Sequence, residues 1–135
     1  LPQRVYGGLL HKMWYLECNG SQFAVKQLNS RIQIDWEEVK SQYELTEEIA
    51  FLFSKHTIPA IHALKIENNY LILSEDEAFL VYPWIAAKAL NKDAISEVHA
   101  LKIAAFLAKI HCINLNVPEL STQEFDIHTN EKLVC

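Results

Sequence analysis

The sequence predicts an α+β domain: an antiparallel sheet of about five strands, one helix inserted after the third, and a further helix behind it. Three observations carry this. Runs of strand-forming residues separated by short turn signals occur before residue 30 and again between residues 60 and 85. An acidic stretch with apolar residues at helical spacing lies between them. Beyond Pro83, residues 96–113 are apolar almost all round, which a small sheet can cover on one side only.

The elements follow in order. Residues 4–6 lead into Gly7-Gly8, and the run Lys12–Cys18 is rich in strand formers. Asn19-Gly20 is the strongest hairpin signal in the chain, because both residues tolerate the left-handed backbone of a two-residue turn. The run 22–28 returns from it. Asp35 with Glu38 forms a capping pattern for a helix that begins at Trp36 and continues, in one piece or two, to about Lys55. Leu45, Ile49, Leu52 and Phe53 give it an apolar face, and Pro59 ends it. Strands are expected near 63–67 and 70–74, joined by a turn at Asn68-Asn69, and then at 78–82, where Pro83 stops the ladder. Ser96 caps the last helix, whose polar stripe is essentially His99, Lys102 and Lys109. Such a helix reads as the first element of a second domain; the alternative is a central helix in one compact domain. Residues 116–135 are polar and aperiodic, and read as an irregular tail.

Bulk properties narrow the function classes. Half of the 135 residues are apolar or aromatic, enough for a core. The formal charge is −5, from 12 basic and 17 acidic residues, with no basic cluster to track phosphates, so a nucleic-acid partner is not expected. Cys18, Cys112 and Cys135 are odd in number and lack metal-ligand spacing, which reads as free thiols in a reducing cytoplasm. No apolar run approaches a membrane span and no signal-peptide pattern opens the chain, so no membrane partner is expected. The chain starts at Leu1 without a methionine, as a trimmed or partial chain does.

The most informative stretch chemically is Ala24-Val25-Lys26. Side chains alternate along a strand, so Ala24 and Lys26 share a face. A small residue lets a flat purine lie against the sheet, and a long cation two positions on reaches its phosphates. The plain alternative is a surface lysine on an edge strand.

Six pieces now stand in order: Gly7-Gly8-Leu9-Leu10-His11-Lys12, Phe23-Ala24-Val25-Lys26, Thr46-Glu47-Glu48-Ile49-Ala50, Ile58-Pro59-Ala60-Ile61, Phe79-Leu80-Val81-Tyr82-Pro83-Trp84-Ile85 and Leu107-Ala108-Lys109-Ile110-His111. Over residues 5–115 this order resembles the small lobe of the aminoglycoside phosphotransferase and choline/homoserine kinase superfamily, which shares the protein-kinase fold. The resemblance implies a nucleotide-binding lobe over residues 1–90, a helix of an otherwise absent helical lobe over 91–115, and the tail over 116–135. It implies ATP as cofactor, with Lys26 on the α- and β-phosphates and a helix carboxylate orienting it. Glu47 best matches that carboxylate by its spacing from the Ile-Pro segment, and Glu48, nearer the apolar face, is the alternate. Gly7 and Gly8 correspond to the loop that covers the phosphates, where the lack of a β-carbon lets backbone amides approach. His11 falls at a position where a phosphate contact is conceivable. Backbone groups near Tyr82 and Trp84 would pair with the adenine edge, against Ala24.

The departures are equally informative. A catalytic loop of the type His-x-Asp-x-x-x-x-Asn, which would supply the base and a magnesium ligand, is not recognisable. His111-Cys112-Ile113-Asn114 and Phe125-Asp126-Ile127-His128 hold the right residue types in the wrong arrangement. No catalytic residue and no Mg2+ ligand is therefore expected in this chain, which alone should transfer nothing. The implied function is the nucleotide-binding portion of an ATP-dependent small-molecule phosphotransferase, moving phosphate from ATP to an acceptor hydroxyl. A kinase-like pseudoenzyme and an unrelated α+β protein-interaction module are the competing readings. The bare helix 96–113 is expected to self-associate.

Overall fold

Turn chemistry sets the sheet. The structure, a computed structural model, describes residues 1–6, 10–29, 36–75, 77–88, 90–113, 115 and 117, with the side chains of 36–38 excepted. Asn19 and Gly20 both take left-handed backbone (φ 51° and 76°), as a two-residue hairpin turn requires. That turn joins β2 (Lys12–Cys18) to β3 (Ser21–Gln27) and pairs Cys18 with Ser21, so each later pair follows by counting: Tyr15 faces Ala24 and Met13 faces Lys26. With β1 (Gln3–Val5), β4 (Leu71–Ser74) and β5 (Glu77–Pro83), five antiparallel strands form one sheet in the order β1-β2-β3-β5-β4. The α+β class expected from the sequence is the class observed.

Helix α1 (Trp36–Lys55) covers one face of this sheet. Between them lies the core: Leu28, Ala63, Tyr70, Leu71, Ala78 and Leu80, with Tyr43 of α1 and Tyr82 of β5 packed against it. Leu71 and Leu80 are register partners and wholly buried. Fully burying a side chain of that size contributes roughly 1.5–3 kcal/mol.

The helix is fastened less by its apolar residues than by three carboxylates on one face, at i, i+3 and i+4. Glu44 accepts from the backbone N–H groups of Tyr70 (2.8 and 3.0 Å) and Leu71 (2.7 Å). Glu47 accepts from the Ala63 N–H at 2.6 Å. Glu48 accepts from the Tyr70 hydroxyl at 3.0 Å and the Lys65 ammonium at 2.7 Å. Backbone donors that would otherwise be buried unpaired are thereby satisfied.

These bonds explain a departure from expectation. Residues 63–67 are not a strand: the Ala63 amide is spent on Glu47, and only Leu64 donates to β5, at the Val81 carbonyl (2.7 Å). The turn also sits one residue earlier than the asparagine pair suggests. Glu67 and Asn68 take the left-handed conformation (φ 51° and 67°), closed by reciprocal bonds between Ile66 and Asn69. Helix α1 starts and ends where expected. Its end is a left-handed cap, in which Thr57 adopts φ 63° and the Ile58 N–H reaches back to the Phe53 carbonyl at 3.1 Å. The expected cap at Asp35 lies outside the described residues.

After a short 3-10 turn (Lys92–Ala94), α2 (Glu97–Cys112) begins behind Ser96. The Ser96 N–H donates to the His99 ring at 3.1 Å, a reciprocal cap. No residue of α2 is buried. Val98, Leu101, Ile103 and Leu107 are each half or more exposed. Val117 beyond it is buried and lines a shallow groove with Glu44, Leu45, Glu48 and Tyr70. No helix among the described residues is long and apolar enough to cross a membrane.

Candidate functional site

The two faces of the sheet carry different chemistry. Register places Met13, Lys26, Leu80 and Leu71 in one cross-strand row, and Tyr15, Ala24 and Tyr82 in the next. Both rows are on the face toward α1, because the Tyr82 hydroxyl donates to Glu47 of that helix at 2.7 Å. The opposite face holds Trp14, Leu16, Val25 and Phe79 around a groove of about 470 Å3 rimmed by Lys12 and Glu77. There the polar groups satisfy one another, the Trp14 indole donating to Gln27 (3.1 Å) and the Gln27 amide donating to Glu77.

On the helix-facing side, Ala24 is the smallest side chain of its row. Cross-strand neighbours stand about 4.5–5.5 Å apart, so the Tyr15 and Tyr82 side chains flank it on either side. Trp84 reaches across β3 to Tyr15, the two rings edge-on at a 4.9 Å centroid distance. The Trp84 N–H donates to the Gln22 carbonyl at 3.0 Å, which commits that donor to the sheet. An alanine floor between aromatic walls suits a flat ring stacked by its faces. Lys26 stands one row further along the same face. His11 is near enough for the Lys26 charge to act on it: burial first, and that cation second, lower its basicity below the ordinary histidine range. The His11 Nδ1 is buried without a hydrogen-bond partner among the described residues. This face thus carries an alanine between two tyrosines and, one row on, a cation within electrostatic reach of a partly buried imidazole.

The structure separates the two candidate carboxylates. Glu47 is 7 % exposed and turned toward the sheet, with its oxygens on the Ala63 N–H and the Tyr82 hydroxyl. Glu48, which the apolar stripe of α1 had placed nearer the interior, is instead at the rim, and the Lys65 ammonium holds it below the usual carboxylate range. The residues that decide this are in the 58–70 segment, whose Ala63 amide sits over position 47 rather than 48. Lys26 and Glu47 lie on the same side of the sheet. Among the described residues, however, the ion pair is Lys65–Glu48, and none joins Lys26 to Glu47. Gly7 and Gly8 lie outside the described residues.

Tyr15 is the site residue that the sequence reading passed over. Its signal was available: counting back from the Asn19-Gly20 turn pairs it with Ala24. Among the described residues no group of three His, Cys, Asp or Glu is arranged to hold a metal ion. Cys18 and Cys112 are free and exposed.

No protein-family model matches the chain, and no curated protein matches it in sequence. Among solved structures it is similar to the spectinomycin phosphotransferase APH(9)-Ia, crystallised with ADP and spectinomycin. The TM-score is 0.63 at 12% identity, over 96% of this chain and 38% of that enzyme. The chain therefore spans well under half of the enzyme's length. At this identity the likeness establishes the fold, which is that of the aminoglycoside phosphotransferase-like kinases, with the five-stranded sheet and α1 corresponding to the small lobe.

Proposed function

We propose that residues 1–90 are the nucleotide-binding lobe of an ATP-dependent phosphotransferase that acts on a hydroxyl of a small molecule, and that α2 belongs to a second, helical lobe. One observation carries the reading: Ala24, between Tyr15 and Tyr82, and Lys26, one row on, occupy the helix-facing side of the sheet, the same side as a buried carboxylate. The solved structure sharing this fold holds ADP and spectinomycin, which supports a nucleotide and a small molecule as ligands.

In this reading each residue has a stated task. Ala24 lets adenine approach the sheet, Tyr15 and Tyr82 confine it, and the Trp84 carbonyl accepts from its amino edge. Lys26 neutralises α- and β-phosphate charge, and Glu47 limits where its flexible ammonium can go. Gly7 and Gly8 cover the phosphates with backbone amides. ATP supplies the transferable phosphoryl group. Magnesium would be held by the second lobe, which also supplies the base and the acceptor site, so this chain alone transfers nothing.

The test is ADP titration calorimetry on the intact protein and its Lys26→Met variant. Loss of a charge-assisted phosphate contact is expected to weaken binding by about tenfold to a hundredfold. Equal affinity in the two proteins, or no binding in either, removes the nucleotide reading and leaves a protein-interaction module.

A further inference from the structure

Glu47 is in an unusual position for a carboxylate. It is almost fully buried, and among the described residues no cation pairs with it. Burying a lone carboxylate is expensive unless its oxygens are well bonded. Two donors do this here, one on each oxygen: the Ala63 N–H at 2.6 Å and the Tyr82 hydroxyl at 2.7 Å. The first is backbone and immovable. The second comes from β5, from the residue directly opposite Ala24 and diagonal to Lys26. Tyr82 therefore spans the gap between the strand beside Ala24 and the helix that bears the acid. It is a dependable donor, because burial first, and the Glu47 carboxylate next, raise the phenol far above its ordinary range.

A carboxylate oxygen has room for two hydrogen bonds. With one bond taken on each oxygen, the plane of the Glu47 carboxylate is fixed and one acceptor direction on each oxygen stays available. We propose that Tyr82 is a positioning residue for nucleotide binding: its hydroxyl locks the Glu47 carboxylate so that the Lys26 ammonium meets a preset acceptor when phosphates draw it into the cleft. This rests on the nucleotide-binding reading above. The ring of Tyr82 flanks Ala24, and the hydroxyl orients the acid. Removing the hydroxyl leaves Glu47 Oε1 in a buried space without its donor, and the carboxylate turns away from Lys26.

A double-mutant cycle in the intact protein tests the chain of action from Tyr82 through Glu47 to Lys26. The expected result is that Tyr82→Phe weakens ADP binding about fivefold to tenfold in the wild-type background, and by less than about twofold on top of Lys26→Met. An equal loss in both backgrounds means that Tyr82 acts on the nucleotide directly and overturns the proposal, as does no loss in either. The Glu47 side-chain carboxylate resonance, read by NMR without nucleotide, separates this from the premise. It is expected to shift in Tyr82→Phe and to stay in place in Lys26→Met. A carboxylate resonance unmoved by Tyr82→Phe overturns the positioning role whether or not ADP binds. Absence of ADP binding by the wild-type protein, by itself, overturns the nucleotide reading. Thermal unfolding of Tyr82→Phe within a few degrees of wild type confirms that a lost affinity is not lost fold.

Discussion

Helices α1 and α2 invert the usual relation between hydropathy and burial. Helix α1 is acidic, and yet its residues pack on a sheet, one glutamate is buried, and three carboxylates are engaged. Helix α2 is apolar almost all round, and yet none of its residues is buried. Composition states what a helix can tolerate; the supply of complementary groups decides where it rests. The 58–71 segment presents bare amides and a hydroxyl, and α1 answers each with an acid. Nothing among the described residues answers α2, whose apolar surface is what a second lobe would cover.

The largest effect expected from this comparison is at the buried acid. Glu47→Ala leaves the Ala63 N–H and the Tyr82 hydroxyl without their acceptor, which should cost about 2–3 kcal/mol of unfolding free energy. Glu48→Gln leaves an oxygen for the Tyr70 hydroxyl and removes only the ion pair with Lys65, between side chains 37% and 48% exposed, where solvent screening leaves less than about 1 kcal/mol. Urea unfolding followed by circular dichroism measures both. Equal costs would mean that α1 is not held through Glu47, and the contrast between the helices would lose its basis.

The legible and illegible parts of the molecule divide along the same line. The Asn19-Gly20 hairpin, the span of α1 and the start of α2 are written in local turn and cap chemistry. The shared face of Ala24 and Lys26 follows from strand alternation. The choice between Glu47 and Glu48 does not, because neighbours on a helix are separated by about 100° and the apolar stripe runs close to both. It is made by a segment 16 residues away in sequence, through the Ala63 amide. The same long-range bond is why 63–67 is not a strand despite its strand-forming residues. Tyr82 read as hinge backbone, and its contact with α1 across 35 residues has no local signature.

A second prediction asks whether α1 is held by its neighbours or by itself. Its terminal cap requires left-handed backbone at Thr57, a β-branched residue for which that conformation is unfavourable. Thr57→Gly removes the steric penalty, partly offset by the freedom glycine adds to the unfolded chain, so stability should rise by about 0.5–1 kcal/mol. A small domain would show this as a melting temperature higher by several degrees. A loss of stability would mean that the Thr57 side chain makes a contact worth more than the strain.

The smallest expected effect is on α2, and its smallness is the informative part. Leu101 is 62% exposed, so Leu101→Lys in the 135-residue chain removes little buried surface and should change unfolding free energy by less than about 0.5 kcal/mol. Its effect should appear in association. Val98 and Leu101 lie on one side of α2 and Ile103 and Leu107 on the other, all exposed, and a chain that shows such residues to water lowers its free energy by pairing them. Light scattering of the 135-residue chain should therefore show mass rising with concentration, and Leu101→Lys should reduce that rise. If the proposed second lobe covers α2 in a longer chain, the same substitution there should destabilise by several times the amount seen in the 135-residue chain, since a buried lysine would meet apolar neighbours. A clean monomer at all concentrations, with an equally mild effect in both proteins, would mean that α2 tolerates water on every side, and the contrast with α1 would then be one of degree only.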